Sequence, residues 1–333
     1  MKVLKAFGPQ DLRVVEAAIP EPKPGQVLIK VRASGICGSD KWIWNANEKS
    51  DFVAGHEAAG EVVKLGDGVT SLALGDRVMI NNVGGCGTCA ACRAGAFVMC
   101  LRRSGDDVNN GFSEYLVAHA RNCLRLLPGL DFIDGALIMD NWGTPFGGIK
   151  RVGVAPGTDV LVNGCGPIGQ AAIGLAKAFG AFVIAVDPIA YRRQAALKNG
   201  ADVALTADEM PDGVKNLTDG MGVQVVLECS GNGEAYENCL SALRIGGNMV
   251  SIGEHAEYML RPSEQFIHRS LSLHGSWYST MSQASELMQV ALQGRINVKS
   301  FLTHTVTLEE LPGLFASIVD CADGLLKCVV VFE

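Results

Sequence analysis

The sequence lacks the features that would place a protein in a membrane or on nucleic acid. No apolar run approaches the roughly 20 residues that a membrane-spanning helix needs. The formal net charge of −7 at pH 7 argues against nucleic acid or an anionic bilayer as a partner. The first residues, MKVLKAFG, lack the charged segment and apolar core of a secretory signal. We therefore expect a cytoplasmic protein that binds neither a membrane nor nucleic acid.

The 11 cysteines include no evident framework of disulfide pairs, but four of them are closely spaced. These are Cys86, Cys89, Cys92 and Cys100, in the stretch GCGTCAACRAGAFVMC. Thiolates separated by two residues can surround one zinc ion at about 2.3 Å, and four of them leave no open position for a substrate. The alternative, two disulfides, requires an oxidising compartment. The spacing therefore predicts a structural zinc site in a reducing cytosol.

The chain has no short internal repeat, and its 333 residues are enough for two domains. In the first hundred residues, the alternating segment Val27–Ala33 and short apolar segments at 60–65 and 77–81 predict a small β barrel or sandwich. From about residue 158, strands alternate with helices, which indicates a parallel sheet covered on both faces. The elements predicted from there on are strands at 159–164, 182–186, 223–228, 248–253 and 328–333 and helices at 168–179, 191–199, 234–243 and 284–292.

A glycine-rich segment joins the first strand of this region to its helix. Gly164, Gly166 and Gly169 form a G-x-G-x-x-G motif that follows a strand and opens a helix. In that context the glycines permit a tight turn and close backbone approach, and the helix N-terminus faces a pyrophosphate. We predict a dinucleotide site at this turn, which also includes Pro167 and Ile168.

Asp187 ends the next predicted strand. A carboxylate at this position can accept hydrogen bonds from the adenosine ribose hydroxyls and would repel a 2′-phosphate, which favours NAD over NADP. Alternatively, Asp187 is an ordinary turn residue before Pro188. Arg192 and Arg193 can stack on the adenine or tolerate a phosphate. We expect NAD as the cofactor.

These motifs occur together with others that give the chain a family resemblance over nearly its whole length. The chain resembles the zinc-dependent medium-chain alcohol dehydrogenases, particularly the branch with sorbitol, threonine and other polyol or secondary-alcohol dehydrogenases. The resemblance implies a GroES-like β-rich catalytic domain and a Rossmann domain with a doubly wound parallel sheet. The motifs that carry it are CGSD at 37–40, GHEAAG at 55–60, GDRV at 75–78, the four-cysteine stretch, GFSEY at 111–115 and GCGPIG at 164–169.

The resemblance implies a second, catalytic zinc site. It makes Cys37 and His56 ligands of this zinc and places Glu57 beside the metal. The remaining ligand falls in GALIMDNWGTPFGG, where alignment gives Asp140. A thiolate, an imidazole and a carboxylate would leave an open fourth position. If Asp140 is merely a helix cap before Asn141, Glu57 becomes the substitute ligand. Taken singly, Cys37 and His56 could equally be a buried thiol and a core histidine.

The resemblance also implies roles for residues around the metal and the cofactor. Ser39 occupies the position whose hydroxyl takes the substrate proton, and Asp40 orients His56. Two strand ends in the Rossmann domain are expected at the nicotinamide, and they contribute Cys229 and Ser230, and Ile252 and Gly253 within VSIGEHA at 250–256.

Two departures from the family pattern stand out. The segment SDKWIWNAN lacks the histidine that finishes the proton relay in many relatives, so release must pass through water or another group, or the physiological direction is reduction. The segment between Cys37 and His56 is also shorter than usual, which should reshape the substrate site. Trp42, Trp44 and Trp142 could line that site, or they could pack in the core.

The predicted protein is a two-domain enzyme, with a GroES-like catalytic zinc domain at 1–145 and 280–333 and a Rossmann NAD-binding domain at 146–279. We expect two zinc ions per chain and NAD-dependent oxidation of a secondary alcohol, such as a polyol, sugar or cyclitol, to a ketone. We also expect a homodimer or a homotetramer. The alternatives are an NAD(P)H-dependent reductase of a carbonyl or conjugated double bond, and a noncatalytic nucleotide-binding relative.

Overall fold

The computed structural model describes residues 1–50, 53–103, 105, 107–254, 257–322 and 324–333. It divides into two compact units, each described by itself below. Unit 1 comprises residues 1–141, 279–292 and 302–333, and unit 2 comprises residues 142–278 and 293–301. Among the described residues, no helix is both long enough and apolar enough to span a membrane.

Unit 1 is built mainly from antiparallel strands. Its strands are β1 Lys2–Gly8, β2 Asp11–Glu16, β3 Gln26–Gly35, β4 Glu57–Leu65, β5 Arg77–Ile80, β6 Tyr115–His119, β7 Cys123–Arg125, β14 Leu302–Val306 and β15 Lys327–Val331. Its helices are α1 Lys41–Trp44, α2 Ala90–Arg93, α3 Phe132–Leu137, α9 Met281–Leu292 and α10 Leu311–Val319.

A seven-stranded sheet organises unit 1, in the order β14-β15-β3-β4-β5-β7, with β6 paired to β3. Alternate side chains of β3, Val27, Ile29 and Val31, are fully buried and pack with apolar residues of β4 and β5. The alternate apolar residues that the sequence pattern singled out thus form the inward face of β3. Because β3 and β4 pair in antiparallel register, Gly35 at the end of β3 lies opposite Glu57 at the start of β4.

Unit 2 is a parallel sheet with helices. Its strands are β8 Asp159–Asn163, β9 Phe182–Val186, β10 Val203–Leu205, β11 Val223–Glu228, β12 Leu243–Ser251 and β13 Ser272–Gly275. Its helices are α4 Gly143–Val152, α5 Pro167–Ala178, α6 Ala190–Lys198, α7 Met210–Leu217 and α8 Gly233–Ala242. The strand order is β10-β9-β8-β11-β12-β13, so the chain reverses direction across the sheet between β8 and β11. The alternating pattern predicted a parallel sheet, and the strand order is the doubly wound topology that the family resemblance implies.

The bounds of unit 2 differ in detail from those predicted for the second domain. The segment 293–301, which we assigned to the catalytic domain, belongs to unit 2. The reason is Trp142, whose indole Nε1 donates to the Val298 carbonyl at 3.0 Å and whose ring centroid lies 5.6 Å from that of Phe301. Trp142 is completely buried in this contact, so it packs in the core of unit 2 and does not line a substrate site.

Candidate metal centres and dinucleotide site

The predicted catalytic metal residues converge within unit 1. Cys37 follows β3, His56 precedes β4, and the pairing of those two strands therefore brings them together. Asp140 reaches them from a π-helical turn, Ile138–Trp142, and is not a helix cap. One ligand atom from each of Cys37, His56, Glu57 and Asp140 lies within 4.8 Å of the others. π turns are rare in proteins as a whole, and those that occur are frequently found at functional sites.

The His56 ring lies between two carboxylates. Its Nδ1 is 3.2 Å from Asp40 Oδ1, its Nε2 is 3.3 Å from Asp140 Oδ2, and Ser39 Oγ is 3.5 Å from the same Nε2. Burial lowers the pKa of His56, but the charges and hydrogen bonds of Asp40 and Asp140 outweigh it and hold this pKa well above its ordinary value. The pocket around Nε2 therefore favours a cation.

Glu57 is committed to a partner that the sequence interpretation missed. Lys327, fully buried at the start of β15, donates to Glu57 Oε1 at 2.7 Å and to the Ile36 carbonyl at 2.8 Å. Burial raises the pKa of Glu57, and the Lys327 charge opposes that rise. A Cβ on Gly35 would lie 2.0 Å from Glu57 Oε2, so only glycine leaves room for this side chain. A lysine opening an otherwise apolar strand is the signal that could have revealed the pair.

The four-cysteine cluster also forms within unit 1. All four residues are free thiols, and one sulfur from each lies within 4.8 Å of the others. The Sγ atoms of Cys86 and Cys92 are 4.0 Å apart, and those of Cys89 and Cys100 are 3.8 Å apart. These separations are far too long for the alternative of two disulfides, which need about 2.05 Å. They suit the edges of a tetrahedron around zinc, about 3.8 Å long for Zn–S bonds of about 2.3 Å.

The Cys86 thiol is prepared for ionisation. A hydrogen bond from the Thr88 hydroxyl, 3.6 Å away, is the main cause that lowers the pKa of Cys86 to about 5. The backbone N–H groups of Cys86 and Cys92 point at the sulfurs of Cys100 and Cys89, each at 3.5 Å. Because a metal binds the thiolate, these donors support a bound ion.

The glycine motif of unit 2 forms the turn between β8 and α5. Gly164 has φ +88°, and a Cβ there would lie 2.7 Å from the Ser230 backbone. A Cβ on Gly169 would lie 1.8 Å from the Gly164 carbonyl oxygen. Gly166 has open space, with its nearest neighbour, Arg192, at 3.9 Å. Because α5 begins at Pro167 directly after Gly166, the backbone here fits an approaching pyrophosphate.

Asp187 follows β9 and is almost completely buried beside this turn. Its Oδ2 accepts from the Cys165 N–H at 2.8 Å, and its Oδ1 accepts from the Ile189 N–H at 2.8 Å. The second bond is the turn contact considered as the alternative role, and the first anchors the glycine turn to β9. Arg192 approaches the same carboxylate, with its guanidinium 3.9 Å from Oδ2. Asp187 therefore lies beside the predicted dinucleotide site, whatever else it binds.

The other predicted cofactor residues gather at the same edge of the sheet. Cys229 and Ser230 follow β11, and the N–H groups of Ile252 and Gly253 donate to the Glu228 carbonyl at 2.9 and 3.0 Å. The contact is close enough that a Cβ on Gly253 would lie 2.2 Å from the Gly231 nitrogen. The last two residues of VSIGEHA, 255 and 256, lie outside the described part of the chain.

The two remaining tryptophans named above lie in unit 1. Trp44 stacks on Phe315, with ring centroids 5.8 Å apart and planes inclined at 20°. Trp44 thus packs against an apolar cluster of unit 1. Trp42 is 45% exposed, which is the largest exposed fraction of the three tryptophans.

Comparison with known proteins matches both halves of the chain to dehydrogenase families. The family described as alcohol dehydrogenase GroES-like domain matches residues 23–128. The family described as zinc-binding dehydrogenase matches residues 167–293. These matches define the protein class as a zinc-type oxidoreductase with a GroES-like domain and a Rossmann-like parallel sheet, and two side-chain clusters of the chain have the composition to hold a metal ion.

Individual relatives narrow this class to one family. The uncharacterized zinc-type alcohol dehydrogenase-like protein YphC of Escherichia coli (strain K12) is 32% identical over 325 residues, covering 92% of this chain and 91% of that protein. The L-threonine 3-dehydrogenase of Pyrococcus abyssi is 34% identical over 324 residues, covering 91% and 90%. The structure of alcohol dehydrogenase TADH from Thermus sp. ATN1 superposes with a TM-score of 0.91 at 25% identity, covering 100% of both chains. The chain belongs to the zinc-dependent medium-chain alcohol dehydrogenase family.

Proposed function

We propose that the protein oxidises a secondary alcohol, such as a polyol, sugar or cyclitol, to a ketone, with NAD as the hydride acceptor. The observation that carries this proposal is the cluster of Cys37, His56 and Asp140, whose ligand atoms lie within 4.8 Å. One thiolate, one neutral imidazole and one carboxylate would balance the charge of Zn²⁺ and leave a fourth position for the substrate oxygen. When bound there, zinc supplies a Lewis acid that makes an alcohol hydroxyl more acidic.

The side chains around the cluster have separate roles in this proposal. Asp40 accepts from His56 Nδ1 and keeps Nε2 directed at the metal position. Ser39 Oγ, 3.5 Å from that Nε2, is placed to receive the alcohol proton. It passes the proton to water, because the segment SDKWIWNAN offers no histidine. Glu57 remains paired with Lys327, so we assign the third ligand position to Asp140 rather than Glu57.

The cofactor part of the proposal rests on unit 2. The pyrophosphate binds at the Gly164–Gly169 turn, and Asp187 accepts hydrogen bonds from the adenosine ribose, which favours NAD over NADP. The four-cysteine cluster holds a second, structural zinc, so that each chain carries two zinc ions. We further propose a homodimer or homotetramer, which light scattering coupled to gel filtration would test.

A second candidate is reduction of a carbonyl or conjugated double bond with NAD(P)H. The observation that favours it is the missing relay histidine, because in the reductive direction the substrate takes up a proton, which water can supply directly. In a noncatalytic relative, by contrast, the metals would bind without turnover.

Metal analysis together with a substrate panel tests the proposal. Purified protein should contain two zinc ions per chain by elemental analysis and should reduce NAD in the presence of some of a series of polyols, sugars and cyclitols. Cys37→Ala should lose one zinc and all activity. Cys321→Ala, which removes a cysteine outside both clusters, is the matched control and should retain two zinc ions per chain and full activity. Retention of both metals by Cys37→Ala would show the catalytic site to be wrongly assigned, and turnover only of ketones or enones with NAD(P)H would favour the reductase.

A further inference from the structure

Glu228 lies where the strand order of unit 2 reverses. It is the last residue of β11, and its register partner Asn163 is the last residue of β8. From β8 the chain adds β9 and β10 on one side of the sheet, and from β11 it adds β12 and β13 on the other side. In open α/β sheets, a dinucleotide crosses the crevice outside the carboxyl ends of the strands at such a switch point. Glu228 and Asn163 therefore lie at the base of the proposed cofactor site.

The Glu228 side chain is buried and is held by uncharged donors. Its exposure is 0%, and its Oε1 accepts from the backbone N–H groups of Ser230 at 2.8 Å and Gly231 at 3.2 Å. The Ser230 hydroxyl donates to the same oxygen, and the Asn163 amide approaches it at 3.5 Å. Within the described ranges, no lysine or arginine forms an ion pair with this carboxylate. A buried carboxylate solvated only by dipoles keeps a strong field in its surroundings.

The same residue also connects two strand ends through its backbone. The Glu228 carbonyl oxygen accepts from the N–H groups of Ile252 and Gly253, while its side chain fixes the turn at Ser230 and Gly231. The loops after β11 and β12 are thus both held by hydrogen bonds to Glu228. The carboxyl group is consequently held at a fixed place by hydrogen bonds that exist before any ligand binds.

We propose that Glu228 supplies a fixed negative charge that favours the oxidised over the reduced nicotinamide cofactor. This inference rests on the proposed dinucleotide function. The nicotinamide ring carries a positive charge when oxidised and none when reduced, whereas the pyrophosphate charges are the same in both forms. Repulsion between Glu228 and the pyrophosphate therefore cancels in the ratio of the two affinities, and attraction to the ring does not. In the oxidative direction, this bias assists exchange of NADH for NAD⁺ after each turnover.

Glu228→Gln is the informative variant, because glutamine keeps the size and the Oε1 acceptor and removes the charge. The dissociation constants of NAD⁺ and NADH would be measured by calorimetry on the zinc-loaded full chain at one fixed ionic strength. We expect Kd(NAD⁺)/Kd(NADH) to rise about tenfold, as for unit charges about 10 Å apart at an effective dielectric constant of about 20. Glu209→Gln, an exposed carboxylate of unit 2, is the matched control and should leave the ratio unchanged.

ADP-ribose, which lacks the ring, separates the charge from loop damage, and its affinity for Glu228→Gln should remain within about twofold of wild type. An unchanged ratio, or equal weakening of NAD⁺, NADH and ADP-ribose, overturns the proposal. If the variant does not fold, wild-type protein is tested with an NAD analogue whose ring is a neutral benzamide. NAD⁺ should bind about fivefold or more tightly than that analogue, and equal affinities overturn the proposal. Wild-type protein that binds none of these dinucleotides refutes the proposed function itself.

Discussion

Removing Lys327 should destabilise the protein strongly, because it leaves a buried carboxylate without its cation. Both Lys327 and Glu57 are completely buried, and Lys327 also satisfies the Ile36 carbonyl. Breaking such a pair from one side costs about 3–5 kcal/mol. Lys327→Met keeps the length of the aliphatic chain, so the loss reports the charge and the hydrogen bonds. We expect unfolding free energy to fall by about 3–5 kcal/mol.

The double variant Glu57→Gln/Lys327→Met distinguishes this pair interaction from a packing defect. Removing the second charge should recover about 2 kcal/mol relative to Lys327→Met alone, since no ion is then left unpaired. The loss in Lys327→Met should also become smaller as the pH is lowered, because burial raises the pKa of Glu57 and its protonation removes the need for a cation.

Urea denaturation of the zinc-loaded protein, followed by tryptophan fluorescence, would measure these differences. Lys64→Met is the control, because Lys64 forms an ion pair with Glu21 in which both side chains are at least half exposed. That change should cost less than about 1 kcal/mol. A loss below about 1 kcal/mol in Lys327→Met, or no recovery in the double variant, would refute the reasoning.

Two further predictions concern His56 and Asp187. In the metal-free protein, the raised folded-state pKa of His56 stabilises the fold fully below its unfolded pKa, about 6.5, and that contribution disappears as pH rises through the higher folded value. Denaturation of chelated wild-type protein between pH 5.5 and about 9 should show this loss of stability. The His56→Gln variant should not show it. Equal pH dependence in the two proteins would contradict the raised pKa of His56. Asp187→Ala should weaken the binding of NAD more than that of NADP, so that the preference for NAD over NADP, measured as the ratio of the two KM values, falls by about tenfold. An unchanged ratio would exclude the contact between Asp187 and the ribose.

The sequence alone determined the features that depend on a short segment of the chain. The spacing of the cysteines from Cys86 to Cys100 predicted that their thiols lie together, because the segments between them are short, and the four sulfurs are indeed close to one another. The Gly164–Gly169 motif likewise acts within one turn, where close contacts at Gly164 and Gly169 leave no room for a Cβ. The alternating strands and helices of the second half predicted the parallel sheet, since each period is set by the backbone.

Long-range packing decided the rest. Asp140 reaches His56 only because a π turn rotates it, and a single extra residue in a helical turn leaves little trace in a hydrophobic pattern. Lys327 and Glu57 are 270 residues apart in sequence, and their pairing exists because β15 and β4 flank the same strand, β3. Trp142 is a core residue because the segment 293–301 returns to cover it. Such contacts depend on which elements become neighbours, a property of the folded chain that no local segment encodes.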